Sequence, residues 1–179
     1  MLISLSGVQC TGKTETMALL REDNYLKDNF EFKTEIVRTL KNMGVAINEE
    51  GTSCTQAFVF LEHLSNIIKG NIITDRSVLD AMVYTTYSYY HKMIPESYFL
   101  YFLNIFEKTY DKYDVFFYLP PEIAVIEDGV RSVNKEFREE THNLFLTYIE
   151  NYELRAVQLP GPPLIKAHHI INFIKGDLK

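Results

Sequence analysis

Tryptophan is absent from this 179-residue chain, and cysteine, proline and glycine are sparse at 2, 6 and 8 residues. Cys10 and Cys54 form neither a disulfide framework nor a metal-spaced pair. The five histidines add no metal site, because His168 and His169 are adjacent and would point to different faces of a helix. No apolar run approaches the roughly 20 residues that a membrane helix needs. The N-terminus lacks the basic start and apolar stretch of a leader, so it reads as a first strand. Positive charge is also short. A formal net charge of −6 argues against a long grip on nucleic acid, while leaving room for a local basic site. Repeats, low-complexity tracts and linkers are missing as well. A single domain over residues 1–179, no membrane partner and a cytoplasmic address are therefore expected, the host cytoplasm if a phage encodes it.

What is present alternates. Apolar runs at Leu2–Ser6, 30–34, 71–74, 114–119 and 155–159 read as strands. Helical patterns occupy 13–22, 35–43, 55–69, 77–90, 95–110, 134–152 and 164–174 between them. Strands alternating with helices predict an α/β fold with a mostly parallel sheet, in which ligands sit beyond the carboxyl ends of the strands. Residues just after each strand should then carry the chemistry.

After the first strand comes GVQCTGKT (7–14), which also opens a helix. A strand, this glycine-punctuated loop and a helix form the setting of a phosphate-binding P-loop. Gly7, Val8, Gln9, Cys10, Thr11 and Gly12 would turn backbone N–H groups around anionic oxygens, helped by the helix N-terminus. Lys13 would reach the β- and γ-phosphates, and the Thr14 hydroxyl would hold Mg²⁺. Cys10, inside this positive loop, is expected to alkylate faster than Cys54.

Four further features suit phosphoryl transfer, each with a plainer reading. Asp75 and Arg76 end the third strand, where the carboxylate suits Mg²⁺ or a substrate hydroxyl and the guanidinium suits phosphate oxygens. A surface ion pair would look the same. Ser77 and Asp80 favour a helix cap over a site. Glu35 stands equally well as a base taking a hydroxyl proton or as a favourable first-turn acid. Arg131, Lys135 and Arg138 share one helical face beside Asp128-Gly129, which fits a closing lid over about 122–140 and equally a solvated helix. A GTPase would need Asn-Lys-x-Asp, and NKEF (134–137) lacks the aspartate. A motor or transporter ATPase usually needs a longer chain. A compact kinase remains.

The series GVQCTGKT, TEIVRTL, IITDRSVLDAMVY, YDVFFYLPPE and DGVRSVNKEFR resembles, over nearly the whole chain, the P-loop kinases of phages and bacteria. These are grouped with the nicotinamide riboside kinase domain of the bacterial NAD-biosynthesis regulator, and more distantly with deoxynucleoside and thymidylate kinases. The resemblance implies a P-loop NTPase fold with a five-stranded parallel sheet flanked by helices, a helical lid, and ATP with Mg²⁺ as donor. It implies that Lys13 and Thr14 hold phosphates and magnesium, that Glu35 and Asp75 flank the acceptor, and that Arg76, Arg131 and Arg138 clamp phosphoryl oxygens. The segment LPGPPLIKAHH (159–169) departs from the pattern by lacking an arginine near a purine-binding loop. The leading acceptor is a small-molecule nucleoside or riboside. Alternatives are a nucleoside monophosphate, a hydroxymethylpyrimidine in modified DNA, or nucleotide binding without catalysis. A homodimer is left open.

Overall fold

Five short runs of apolar and small residues become strands: β1 (Leu2–Ser6), β2 (Glu31–Lys33), β3 (Ile72–Asp75), β4 (Val115–Tyr118) and β5 (Ala156–Gln158). The structure is a computed structural model describing residues 1–34, 36–47, 50–68, 70–122 and 134–176. All pairings are parallel, in the order β2-β3-β1-β4-β5, so every strand ends at the same edge. This is the five-stranded parallel sheet of the P-loop NTPase fold.

A parallel sheet must be covered on both faces, and the period of two along each strand sorts the side chains accordingly. Ile3, Leu5, Val115 and Phe117 face α1 (Lys13–Glu22), α2 (Asn24–Asn29) and α8 (Pro163–Lys175), meeting Met17, Leu20, Leu26 and Ile170. Leu2, Phe116 and Tyr118 face the other way, toward α4 (Ser53–Ile67), α5 (Val78–Tyr90), α6 (Glu96–Glu107) and α7 (Lys135–Asn151). There α5 is buried along almost its whole length, and Phe60 of α4 stacks on Phe102 of α6 at 4.8 Å. Ser4 and Ser6 lie on this second face, where larger residues would hold α5 away. Their hydroxyls form a buried chain, Ser4 Oγ to Ser6 Oγ at 2.9 Å and Ser6 Oγ to Ser77 Oγ at 3.0 Å.

Two local differences from the sequence reading have simple causes. Helix α2 is unexpected because six residues show no periodicity. Asp23 makes it by accepting the Leu26 N–H at 3.1 Å. Helix α3 (Val37–Asn42) is shorter than the 35–43 expected, and Glu35 itself lies outside the described residues. Among the described residues no helix is long and apolar enough to cross a membrane.

Candidate active site

The loop leaving β1 is positioned by two backbone requirements. Gly7 sits at φ 140, and a Cβ there would lie 2.6 Å from the Leu119 carbonyl oxygen. Gly12 caps α1 at φ 82. Cys10 adopts φ 56, left-handed backbone that a side chain disfavours. Lys13 folds under the loop, its Nζ donating to the Gly7 and Val8 carbonyls at 2.6 Å each and to Thr11 Oγ1 at 3.2 Å. The first helical turn adds the partial positive charge of its unpaired N–H groups. Thr14 follows in that turn with its side chain exposed. A tight loop around a buried ammonium, opening into a helix N-terminus, has the elements of an anion site.

Two cations from the far end of the chain grip the same loop. Arg138 of α7 donates Nη2–H to the Cys10 carbonyl at 3.3 Å, and Lys166 of α8 donates to the Thr11 carbonyl at 3.0 Å. Arg138 thus meets the loop that follows β1. Arg131 and the expected lid segment 123–133 lie outside the described residues.

Beside the loop, β3 ends on Asp75, which pairs with Leu5 in register. Asp75 and Arg76 are 6% and 8% exposed, which removes the surface-ion-pair reading. Arg76 turns sharply, at φ 73, with its N–H donating to Leu5 O at 3.0 Å. Such strain in a non-glycine residue concentrates at functional sites. Its guanidinium meets two residues of α5. It lies 3.6 Å from Asp80 Oδ1, donates to the Tyr84 hydroxyl at 3.0 Å and sits 5.1 Å from the Tyr84 ring centroid.

Asp80 is the residue that links loop and cleft. The capping box with Ser77 is present, yet the carboxylate does more than cap. Oδ2 accepts from the Ser77 N–H and hydroxyl at 3.1 Å each, and Oδ1 accepts the Gly7 N–H at 3.2 Å. Burial pushes this carboxyl above the usual range, while Arg76, Lys13 and its hydrogen bonds pull it back. Tyr118, at the end of β4, bonds the His142 ring of α7. Burial raises the phenol and lowers the imidazole, the latter aided by Arg138.

Arg76, Asp80, Tyr84 and Gln56 line one cleft together with Val37, Ile47, Thr55, Val59 and Ala81. Gln56 Oε1 is taken by the Thr85 hydroxyl at 3.2 Å, which orients the carboxamide. A mostly apolar cleft with a few convergent polar groups suits a small organic ligand.

The structure thus brings Lys13, Arg138 and the loop together, with Asp75 and Arg76 at the adjacent strand end. Glu35, the proposed base, is not among the described residues. Burial runs against the cysteine expectation, with Cys10 buried and Cys54 exposed. Sequence reasoning missed Lys166 and Gln56 and undervalued Asp80. For Lys166 a signal existed, since it shares the apolar face of Ala167 and Ile170. Among the described residues no group of three or more His, Cys, Asp or Glu is placed to hold a metal.

A family profile described as an AAA domain matches residues 2–164. No curated protein matches the chain in sequence. Among solved structures, NadR protein in complex with NR superposes with a TM-score of 0.74 at 19% identity, over 99% of this chain and 52% of that one. The chain thus spans about half the length of NadR. Deoxyadenosine kinase from M. mycoides, with products dCMP and dCDP, gives 0.70 at 14% identity, covering 99% and 100%. Thymidylate kinase from Ehrlichia chaffeensis gives 0.65 at 19%, covering 98% of each. At such identities the likeness is one of fold.

Proposed function

The chain belongs to the AAA-domain family matched over residues 2–164, and from that premise we propose that it is a kinase carrying a phosphoryl group from ATP to a nucleoside or riboside hydroxyl. The observation carrying this reading is that Asp80 is shared, accepting the phosphate loop's Gly7 N–H at 3.2 Å while walling the cleft with Arg76. Donor loop and acceptor cleft are built against one another.

In this reading the loop amides and Lys13 cradle the donor's phosphates, and Arg138 neutralises charge on the transferred group. Thr14 offers an exposed hydroxyl, and Asp75 offers a carboxylate at the neighbouring strand end. Magnesium favours hard oxygens, keeps several waters and takes one or two carboxylates, so these residues fit it. Bound there, it would screen the phosphates and favour charge transfer to the leaving oxygen. Glu35 or Asp75 takes the proton of the acceptor hydroxyl.

The charge around Arg76 favours a neutral acceptor. Its guanidinium is already engaged by Asp80 and the Tyr84 hydroxyl, and Asp75 adds a second carboxylate nearby. A monophosphate dianion would face both acids. A hydroxymethylpyrimidine in DNA would in addition bring a phosphate backbone to a chain of net charge −6.

The experiment is one panel in which labelled ATP is offered with nucleosides and ribosides, nucleoside monophosphates, and duplex DNA carrying hydroxymethylpyrimidine. Transfer to a nucleoside or riboside is expected. Transfer only to monophosphates or DNA would replace the acceptor, and ATP binding without transfer to any of them would make the chain a nucleotide-binding module.

A further inference from the structure

Lys166 is a fully buried lysine on the first turns of α8, 0% exposed, that the phosphoryl-transfer scheme does not use. Its Nζ donates to the carbonyl oxygen of Thr11, 155 residues earlier, at 3.0 Å. Among the described residues no carboxylate forms an ion pair with it. Glu122 favours its charge from a distance, while its own Oε2 accepts the Gly161 N–H at 2.6 Å. Burial therefore pushes the Lys166 ammonium down from its ordinary range. A buried charge held by one loop carbonyl is a costly arrangement that apolar packing alone would not select.

The peptide joining Thr11 to Gly12 explains the arrangement. Peptide groups are planar, and the described chain contains no cis bond, so a carbonyl and the following N–H point in opposite directions. Lys166 draws the Thr11 carbonyl inward, toward the buried side of the loop. The Gly12 N–H must then point outward, into the mouth of the anion cradle. Gly12 can adopt this turn because its φ of 82 costs glycine little. On the preceding peptide the Cys10 carbonyl accepts from Arg138 of α7 at 3.3 Å.

We propose that Lys166 is a positioning residue that fixes the Thr11–Gly12 peptide plane, so that the Gly12 N–H is aimed at a phosphate oxygen before the nucleotide arrives. The inference rests on the phosphate-binding part of the proposed function and needs no assumption about the acceptor. Without the lysine the peptide can rotate, and binding must first reorder it.

The test uses the full chain with Lys166→Met, which keeps the length of the side chain, and Lys166→Arg, which keeps its charge and donors. Calorimetry with inorganic tripolyphosphate reads the loop alone, and thermal unfolding of each ligand-free protein reads the fold. Lys166→Met should bind tripolyphosphate about tenfold or more weakly, the scale of one hydrogen bond to a charged group. Its unfolding temperature should stay level or rise, since apolar replacement of a buried charge is often neutral or better. Lys166→Arg should return affinity to within a few-fold of the natural chain. Tripolyphosphate binding by Lys166→Met within twofold of the natural chain would overturn the proposal. So would an affinity loss that Arg does not restore, or failure of both variants to fold, either of which assigns the lysine to stability. If the natural chain itself binds no tripolyphosphate, the phosphate-binding reading fails first, and the two failures are thereby distinguished.

Discussion

Replacing Gly7 by alanine tests how tightly the phosphate loop is built into the sheet. The new Cβ would lie 2.6 Å from the Leu119 carbonyl oxygen, closer than methyl groups approach backbone. Leu119 cannot retreat easily, because its own N–H donates to Ser6 O at 2.9 Å and its side chain is fully buried. The φ of 140 adds strain of about 1–3 kcal/mol for any residue with a side chain. Forcing a methyl group into packed surroundings adds about 1–3 kcal/mol more. A loss of about 2–6 kcal/mol is therefore expected, a large share of the roughly 5–15 kcal/mol that holds a domain together. Gly44→Ala is the control. Its φ is 79, and nothing lies within 4 Å of the added Cβ, so only the backbone term of about 1–2 kcal/mol applies. Urea unfolding followed by circular dichroism measures both. If Gly7→Ala costs no more than Gly44→Ala, the contact with Leu119 does not constrain the loop and the reasoning is wrong.

Three other outcomes follow from the same geometry. Arg138→Ala should lower kcat about a hundredfold with a smaller effect on ATP affinity, measured by steady-state kinetics and calorimetry. A loss confined to unfolding temperature would make it a structural contact. His63 is buried, neither ring nitrogen makes a hydrogen bond among the described residues, and burial with help from Arg76 lowers its pKa from 6.5 to about 3. The unfolded chain takes up this proton first, so stability should fall as pH drops from about 6.5 toward 3. The slope approaches 1.4 kcal/mol per pH unit for this one group. His63→Leu should flatten that slope in urea titrations between pH 7 and 4, and an unchanged slope would assign acid sensitivity elsewhere. Iodoacetamide should label Cys54 before Cys10, by peptide mapping, because only the former is exposed. Labelling of Cys10 first would show that the loop opens more readily than its burial implies.

Strands and most helices were legible because the forces shaping them are local. Lys13–Glu22 follows a glycine cap, and Val78–Tyr90 carries its own capping box at Ser77 and Asp80. The phosphate loop was legible for the same reason, its glycines and lysine being contiguous. Asp80 was only half legible. Its capping role is written within four residues, but its bond to Gly7 spans 73 positions and depends on Ser4 and Ser6 being small enough to let α5 approach. The contacts of Arg76 with Asp80 and Tyr84 were hidden too, since they depend on the positive φ at Arg76 and on where α5 begins. The burial of Cys10 was not legible, because a motif gives electrostatic setting but not side-chain exposure.

The two cations on the loop's carbonyls come from 128 and 155 residues further along the chain. Protein synthesis runs at roughly 5–20 residues per second, so the interval from loop to Lys166 is about 8 to 30 seconds. During that time β1, the loop and α1 can exist outside the ribosome with Cys10 and Thr11 still unheld. What is encoded first is completed last, and a nascent chain carrying the entire GVQCTGKT motif lacks both braces until α7 and then α8 have emerged and docked.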